Sequence, residues 1–392
     1  MVSKNILNGS KKIIKVGFLS EQTSGWMGGV NYFKNLFIAI SAVDNTKIIP
    51  YILPQEDERA KILLNYANII EFKKDIKYRL AKFLTKLRRK KFKKESFFYN
   101  NINVDLISHA QFVTNKSSIT WIPDFQHVHL PEMFSQKEIE IRNKSFMLWT
   151  QNSSLVILSS QDALNDFKKF APEFAYKGRV LNFVAIPDEN IYQKTDEIKE
   201  TTIKKFNLPE KYFYVPNQFW VHKNHKIIFE AISILKQQGI DIKIVFTGNA
   251  SDYRNKEYFD ELMKFVKEKN IEDNIKLLGL IDSLEVYYLM RNCISIINPS
   301  LFEGWSSTVE EAKSLGKNII LSNINVHKEQ NPPQGVYFDP NNSNELAELL
   351  KEKWLNGKSE PDFELEKIAQ EQLENRIIEF GKNYQNIVLE AL

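Results

Sequence analysis

The chain has 392 residues, of which 43% are hydrophobic and 26% are charged, and its formal net charge is +4. At roughly 100–200 residues per domain this predicts a globular protein of two domains, with too little charge to indicate nucleic acid binding. The single cysteine, Cys293, excludes a disulfide framework and a cysteine-based metal site. The N-terminus lacks a sustained apolar region, and no apolar run approaches the ~18 residues that span a bilayer, so we predict a cytoplasmic protein.

In the first half of the chain, short apolar runs alternate with helical patterns such as Asn31–Val43. This alternation is typical of an α/β protein with parallel sheets. The predicted strands are Ile13–Leu19, Ile48–Leu53, Val104–Ser108, Ile119–Ile122, Leu155–Leu158 and Val180–Val184.

The segment Phe72–Lys94 is strongly basic, with twelve Lys or Arg residues and one acid. Its apolar residues recur at helical spacing on one side, which predicts an amphipathic helix. Such a helix, which carries Arg88, Arg89, Lys90 and Lys91, suits an anionic membrane surface. A helix that packs its apolar stripe on its own domain and leaves its lysines in solvent explains the pattern equally well.

Near Ile186 the pattern breaks, and a polar stretch predicts a linker with a short helix. A second α/β series follows, with strands at Tyr212–Pro216, Lys243–Thr247, Ile275–Leu278, Ile294–Ile297 and Asn318–Leu321. Its predicted helices are Lys226–Gln238, Lys256–Lys269, Ser283–Asn292 and a C-terminal helix at Phe363–Leu389. We therefore predict two Rossmann-like domains, residues 1–187 and 188–370, with residues 371–392 packing as a helix on the first domain. Ligands of such sheets bind at the cleft outside the carboxyl ends of the strands.

Two glycines and two histidines follow strands of the first series. Gly28 and Gly29 stand between a strand and a helix, where backbone N–H groups can approach an anionic ligand. In "WIPDFQHVHLPEMF", Asp124, His127 and His129 come directly after a strand, at the cleft edge of the sheet. Both patterns also have plain structural explanations, because glycine pairs often only turn the chain and a His-x-His pair can be a satisfied loop.

A lysine and two glutamates follow strands of the second series. "VPNQFWVHKNHK" leaves a strand and enters a helix, and its Lys223 can reach a phosphate as a point charge. In "NPSLFEGWSSTVEEAKSLGKNII", Glu303 and Glu311 stand with seven residues between them. The same stretch fits the capping-box pattern, for example Ser307 with Glu310, which would make it a helix start with no further role.

Taken in order, these segments resemble glycosyltransferase family 4, the retaining GT-B glycosyltransferases, over nearly the full length of the chain. The acid segment resembles the E-G-F-G-L-P-V-L-E-A run of that family. "SGWMGGVNYFKNL" resembles its Gly-Gly loop, "PDFQHVHLPEMF" the loop with a donor-side histidine, and "PNQFWVHKNHKIIFEAI" the segment with the phosphate-binding lysine. The resemblance implies a GT-B fold, in which the parallel sheets of two Rossmann-like domains face a central cleft and the C-terminal helix returns to the first domain.

The resemblance also implies roles for individual residues. Glu303 would contact the transferred sugar, Glu311 the ribose, and Lys223 the diphosphate, which the N–H groups around Ser306 to Thr308 would also face. For the histidine role we prefer His127 over His129. The implied catalytic set is His127, Lys223 and Glu303. The implied donor-binding set is Gly28, Gly29, Asn217, Gln218, Lys223, Gly304, Trp305, Ser306, Ser307, Thr308 and Glu311.

Two departures from the family pattern accompany the resemblance. Where the family has Gly-Leu-Pro between its two acids, this chain has Ser306-Ser307-Thr308. Where the family often has an arginine before the lysine, it has Asn217 and Gln218, whose neutral amides cannot replace a guanidinium on a diphosphate.

The activity implied by the resemblance is transfer of a sugar from a nucleoside diphosphate sugar to an acceptor hydroxyl, with retention and without a metal or other cofactor. The implied setting is synthesis of a bacterial polysaccharide or lipopolysaccharide O-antigen on a glycan or lipid-linked acceptor, at the inner face of the plasma membrane. Two alternatives stay open on the residues alone. One is a catalytically inactive GT-B subunit that binds nucleotide, and the other is a nucleotide-sugar epimerase or hydrolase on the same fold.

Overall fold

The protein is described by a computed structural model that covers residues 13–18, 27–44, 46–52, 58–70, 102–188, 190–193, 195–252 and 254–392. The strands are β1 Ile14–Phe18, β2 Ile48–Ile52, β3 Asn68–Ile69, β4 Leu106–Ser108, β5 Ile119–Ile122, β6 Leu155–Leu158, β7 Gly178–Val180, β8 Phe213–Val215, β9 Ile244–Phe246, β10 Ile275–Leu277, β11 Ile296–Asn298, β12 Ile319–Ser322 and β13 Gly335–Phe338. The α-helices are α1 Met27–Ser41, α2 Gln126–His129, α3 Gln136–Asn152, α4 Gln161–Phe170, α5 Asn190–Gln193, α6 Thr195–Phe206, α7 His225–Gln237, α8 Tyr258–Glu268, α9 Ser283–Asn292, α10 Ser307–Ser314, α11 Asn325–Gln330, α12 Ser343–Asn356 and α13 Phe363–Ala391.

The second half of the chain forms a sheet of six strands in the order β10-β9-β8-β11-β12-β13, and all of its pairings are parallel. Counted from β8, this is the strand order 3-2-1-4-5-6 of a Rossmann fold. The order reverses between β8 and β11. A ligand crevice is therefore expected where the carboxyl ends of these two neighbouring strands separate.

The first half forms a similar parallel arrangement in two pieces, β3-β2-β1-β4 and β5-β6-β7. A parallel bridge between Ile107 and Ser118 joins the pieces, so the strands run on as one twisted layer. Strands β5 and β6 consist of buried residues throughout, as expected for parallel strands covered by helices on both faces. Strand β5 matters most for the site, because it ends at Ile122, directly before the turn that carries Asp124 and both histidines of α2.

The C-terminal helix α13 belongs to both halves of the molecule. Near its start, Glu366 forms a buried ion pair with Arg291 of the second half. Further along, Phe380 and Tyr384 enter the apolar core of the first half. Gln385 accepts a hydrogen bond of 2.8 Å from the backbone N–H of Lys47. The helix thus joins the two halves of the molecule.

One predicted strand is placed differently by the structure. Val180–Val184 was expected as a strand, whereas β7 is Gly178–Val180. Its ladder ends with the hydrogen bond from Leu181 N to Leu158 O, at 2.9 Å. Leu181 and Val184 are buried all the same, because they pack in the core of the first half on the way to the second. The apolar run 180–184 therefore predicts buried residues correctly, but only its first residue belongs to a strand.

The basic segment Phe72–Lys94, with Arg88, Arg89, Lys90 and Lys91, lies outside the described residues. Its membrane role therefore stays a prediction. Among the helices that the structure does describe, none is long and apolar enough to cross a membrane.

Candidate active site

The loops that leave β8 and β11 are tied to each other at the switch point of the second sheet. Asn217, directly after β8, donates from Nδ2 to Oδ1 of Asn298, the last residue of β11, over 3.2 Å. Ser300 Oγ lies 2.9 Å from the same Oδ1. The predicted donor residue Asn217 is thus buried and holds the crevice together. Gln218 has a comparable role, since its Oε1 accepts from the backbone N–H of Asn249 over 2.7 Å.

Lys223 and Glu303, one from each loop, form an ion pair in this crevice. Lys223 Nζ donates to Glu303 Oε1 over 2.5 Å, and Ser300 Oγ donates to the same oxygen over 2.6 Å. Burial would raise the pKa of Glu303, but the positive charge of Lys223, assisted by His222 and His327, holds the pKa below its ordinary value. The site therefore contains an ionised carboxylate and an ammonium group side by side.

The backbone around Lys223 is fixed by its neighbour Asn224. Asn224 adopts the left-handed conformation, with φ of 55°, which asparagine tolerates better than most residues. Its Nδ2 donates to the carbonyl of Pro299 over 3.2 Å and to that of Pro340 over 2.9 Å. These bonds hold the lysine-bearing turn against the loop that leads to Glu303.

Helix α10 begins at Ser307, four residues after Glu303, and its start differs from the predicted capping box. Ser306 is the N-cap residue and caps without a side-chain bond, because its Oγ accepts instead from Nδ2 of Asn298 over 2.8 Å. Glu310 turns to Arg376 of α13 and to Gln330 Nε2, the latter at 3.0 Å. The capping-box prediction for Ser307 with Glu310 was wrong, because Ser306 is the N-cap and Ser307 is already the first helical residue, while Glu310 pairs with Arg376. The first-turn N–H groups of Ser307 and Thr308 keep no acceptor within the helix, as at any helix N-terminus.

Glu311, one turn into α10, is in a different situation from Glu303. Within the described part of the chain, Glu311 makes no hydrogen bond and no ion pair. Burial raises its pKa to about 8, although the charge of Lys223 acts in the opposite direction. After burial, the charge of Glu311 is a further cause of the raised pKa of Tyr214 and of Tyr287. An acid held this way has its hydrogen-bonding capacity unused and is suited to bind ligand hydroxyls.

The two histidines of α2 point to different surroundings. His127 is only 1% exposed, and its Nε2 is hydrogen-bonded to Asn143 Oδ1 over 2.9 Å, while Nδ1 is buried without a partner among the described residues. Burial lowers the pKa of His127, so its ring is neutral. His129 is 41% exposed at its side chain, bonds Asp166 at 2.6 Å, and lies 5.2 Å from the ring of Phe302. The preference for His127 stays a prediction, and His129 is the histidine that contacts the loop of Glu303.

The two halves meet at Gly304 and Trp305, next to Glu303. A Cβ atom on Gly304 would stand 2.5 Å from the carbonyl oxygen of Pro123 and 2.9 Å from Cβ of Asp124. Trp305 Nε1 donates to the carbonyl of Phe183 over 3.0 Å. The segment of Glu303 is thus in direct contact with two parts of the first half. One is the turn after β5, at Pro123 and Asp124, and the other is the backbone at Phe183. A glycine is required at 304 because the opposing backbone occupies the space of a side chain.

We expect Gly304→Ala to force the two halves apart at the site. The added methyl group meets backbone atoms, which cannot move aside as a flexible side chain would. Small-angle scattering should show a larger radius of gyration than in the wild type, and turnover should fall at least tenfold. Gly239→Ala is the control, because a Cβ there meets no atom within 4 Å. Its φ of +77° adds backbone strain but no contact between the halves. Unchanged scattering and turnover for Gly304→Ala would contradict this contact.

Gly28 and Gly29 lie in the first turn of α1, with Gly28 exposed and Gly29 buried. The loop before them lies outside the described residues, so their part in ligand binding stays a prediction.

Among the described residues, no group of three His, Cys, Asp or Glu side chains is placed to hold a metal ion. Sequence reasoning missed Asn298 and Ser300, whose only signal is "NPS" at the end of an apolar run.

Residues 196–376, which include Lys223 and both acids, match the family described as "Glycosyl transferases group 1". The match covers most of the second half of the chain. The chain is similar to Protein CapJ of Staphylococcus aureus, with 28% identity over 181 residues, 44% of this chain and 44% of CapJ. It is also 28% identical over 160 residues to the "N-acetylgalactosamine-N,N'-diacetylbacillosaminyl-diphospho-undecaprenol 4-alpha-N-acetylgalactosaminyltransferase" of Campylobacter jejuni, over 41% of this chain and 39% of that protein. Each match spans less than half of the relative.

Among solved structures, HepE of Anabaena in complex with UDP and glucose is similar over both halves. The alignment covers 97% of this chain and all of HepE, with a TM-score of 0.67 and 17% sequence identity. At this identity the likeness shows the fold alone, and that fold is GT-B. The predicted fold class, two Rossmann-like halves with parallel sheets, is confirmed.

Proposed function

We propose that the protein transfers a sugar from a nucleoside diphosphate sugar to an acceptor hydroxyl, with retention at the anomeric carbon. The observation that carries the proposal is the set of charged groups at one switch point. Lys223 and Glu303 form an ion pair, while Glu311 has no partner among the described residues and a raised pKa. Support comes from the family match of this domain and from HepE, whose structure contains UDP and glucose.

Each group has a part in the proposed reaction. The diphosphate lies between Lys223 and the first turn of α10, where an ammonium group and helix N–H groups stabilise the charge that develops on the leaving group. Glu311 binds the ribose hydroxyls with its unused oxygens, and Glu303 binds hydroxyls of the transferred sugar. Catalysis then rests on positioning and on electrostatic stabilisation of the leaving diphosphate. Because protein groups supply the positive charge, we propose that no metal is needed.

A donor screen tests the proposal. Purified protein is incubated with UDP-, GDP-, ADP- and dTDP-sugars, with and without a mixture of lipid-linked and free glycan acceptors, and released nucleoside diphosphate is measured. Acceptor-dependent release is expected for one donor class, also in EDTA, and NMR of the product should show the anomeric configuration of the donor. Release without acceptor would instead favour a hydrolase or epimerase. Nucleotide binding without turnover would favour the inactive subunit. The neutral Asn217 and Gln218, which stand where the family often has an arginine, support that alternative.

For the acceptor we propose a lipid-linked or cell-surface glycan, as in synthesis of a bacterial polysaccharide or lipopolysaccharide O-antigen. Support comes from the Campylobacter relative, whose name includes an undecaprenol-linked acceptor. The basic segment Phe72–Lys94 supports a peripheral place at the inner face of the plasma membrane. Its twelve cationic side chains each contribute on the order of 1 kcal/mol near an anionic surface.

Accordingly, we expect the protein to sediment with anionic liposomes at low salt and to be released at high salt, where its charges are screened. Replacing Arg88, Arg89, Lys90 and Lys91 by glutamate should abolish sedimentation. Neutral phosphatidylcholine liposomes are the control and should leave the protein in the supernatant. Equal recovery in the supernatant with both kinds of liposome would mean that this segment is only a solvated face.

A further inference from the structure

Arg254 lies in the loop between β9 and α8 and is held by a buried carboxylate. Its Nε and Nη2 donate to the two oxygens of Asp252, over 3.0 and 3.1 Å. Asp252 is 1% exposed, and although burial alone would raise its pKa, the hydrogen bonds from Arg254 hold that pKa below its ordinary value. The fork geometry of this pair fixes the plane of the guanidinium group.

From this position Arg254 contacts the turn that precedes Lys223. Nη2 also donates to His222 Nδ1 over 3.4 Å, and the guanidinium carbon lies 5.4 Å from the centre of the Trp220 ring. The partner carboxylate of Asp252 accepts from the backbone N–H of Val221 over 3.4 Å. The Asp252–Arg254 pair therefore contacts three consecutive residues directly before the lysine.

The same guanidinium group reaches across to the first half of the molecule. Nη1 donates to Gln126 Oε1 over 3.2 Å, and the group lies 5.8 Å from the centre of the Phe134 ring. Gln126 is the first residue of α2, the helix of His127 and His129, and its backbone N–H donates to Asp124 Oδ1 over 2.9 Å. Arg254 thus joins the lysine-bearing turn of one half to the histidine-bearing turn of the other.

We propose that Arg254 is a positioning residue, which aligns the turn of Lys223 with the turn of α2 when the two halves are closed. Most of its donors serve Asp252, His222 and Gln126, so it acts through these neighbours and not by direct contact with phosphate. Lys223 must turn from Glu303 towards the diphosphate when the donor binds. Arg254 keeps the backbone of the turn in place while the lysine side chain moves. The inference rests on the proposed function and adds to it a residue that the motifs of the chain do not contain.

Binding of UDP and of uridine shows whether Arg254 acts by positioning Lys223, by its own charge on the phosphates, or only through the stability of the fold. We expect Arg254→Gln to weaken UDP binding about tenfold in calorimetry and to leave uridine binding within twofold. In a Lys223→Gln background the same change should have no further effect, because the loss acts through the lysine. Arg254→Lys should behave like Arg254→Gln, since an ammonium group cannot reproduce the fork. Rescue by lysine, or equal weakening of UDP and uridine, would overturn the proposal.

Amide hydrogen exchange without ligand tests the same role independently of nucleotide. Arg254→Gln should raise exchange in residues 221–224 and 126–130, whereas Gln126→Ala should raise it only in 126–130. Arg254→Gln leaves the carboxylate of Asp252 buried without its partner, which could itself raise exchange. The double variant Asp252→Asn/Arg254→Gln removes both charges and should therefore show the same raised exchange. Arg179→Gln is the matched control, because Arg179 also holds a carboxylate, that of Glu390, with Nε and Nη2 but lies on the edge strand β7. Unchanged exchange in residues 221–224 would overturn the proposal, whereas failure of the wild type to bind UDP would count only against the proposed donor class.

Discussion

Glu303→Gln is expected to lower kcat about 10²-fold and to leave UDP affinity unchanged or higher. The amide loses the strong hydrogen bonds that a carboxylate makes to the transferred sugar, which matter most in the transition state. UDP lacks that sugar. The variant also frees Lys223 from its partner at 2.5 Å, so the ammonium group becomes fully available to the diphosphate. Kinetics with the donor found in the screen, together with UDP calorimetry, measures the two effects separately.

The control for this variant is Glu364→Gln, at an exposed acid in the first turn of α13. It should match the wild type in both measurements. If Glu303→Gln keeps kcat within twofold of the wild type, Glu303 serves only as the partner of the lysine. A fall in UDP affinity with unchanged kcat would place this acid on the nucleotide and not on the sugar.

Glu311→Gln should make the unliganded protein more stable and weaken its binding of UDP at least tenfold. Burial raises the pKa of Glu311 from the ordinary 4.5 to about 8, so the folded protein retains a proton that the unfolded chain releases. The wild-type free energy of unfolding therefore falls as the pH rises from about 5 to about 8. Glutamine does not titrate, and at pH 7 its advantage amounts to about 3 kcal/mol.

Glu303 provides the matched comparison within the same segment. Because its pKa is held below the ordinary value, Glu303 stabilises the fold at neutral pH, and this contribution is lost as the pH falls through its folded pKa. Glu303→Gln should therefore be less stable than the wild type at pH 7, opposite in sign to Glu311→Gln. Urea unfolding of both variants from pH 5 to pH 8 measures the difference. Parallel pH profiles for Glu311→Gln and the wild type would contradict the raised pKa, and unchanged UDP affinity would contradict a ribose contact.

Local sequence patterns predicted the elements that position the site. Helix α9 begins and ends where predicted, and β5 and β6 match residue for residue, because short buried runs bounded by polar turns leave little choice. The sequence also placed Lys223 and Glu303 each in a segment that follows a strand. Their direct ion pair was not predicted, since it depends on the order of strands in the sheet and not on distance along the chain.

Contacts over long sequence distances could not be predicted from local patterns. Glu310 fits a capping box with Ser307, but the structure pairs it with Arg376, which is 66 residues away in sequence. Gln126 and Arg254 are separated by 128 residues and meet only because the two halves close on each other. Neither residue belongs to a motif. Their importance depends on which surfaces of the two halves meet, and a single sequence carries no signal for that.

Helix α13 has a consequence for the order of folding during synthesis. Thr46, beside β2, hydrogen-bonds Gln385, which follows it by 339 residues. Phe380 and Tyr384 fill part of the first apolar core, so that core stays incomplete on the ribosome until almost the whole described chain has been translated. Domains of larger proteins generally fold as units, the N-terminal one first. Here the second sheet, whose strands all precede α13, can complete its own core earlier, and the nascent first half must wait with an apolar groove exposed to chaperones.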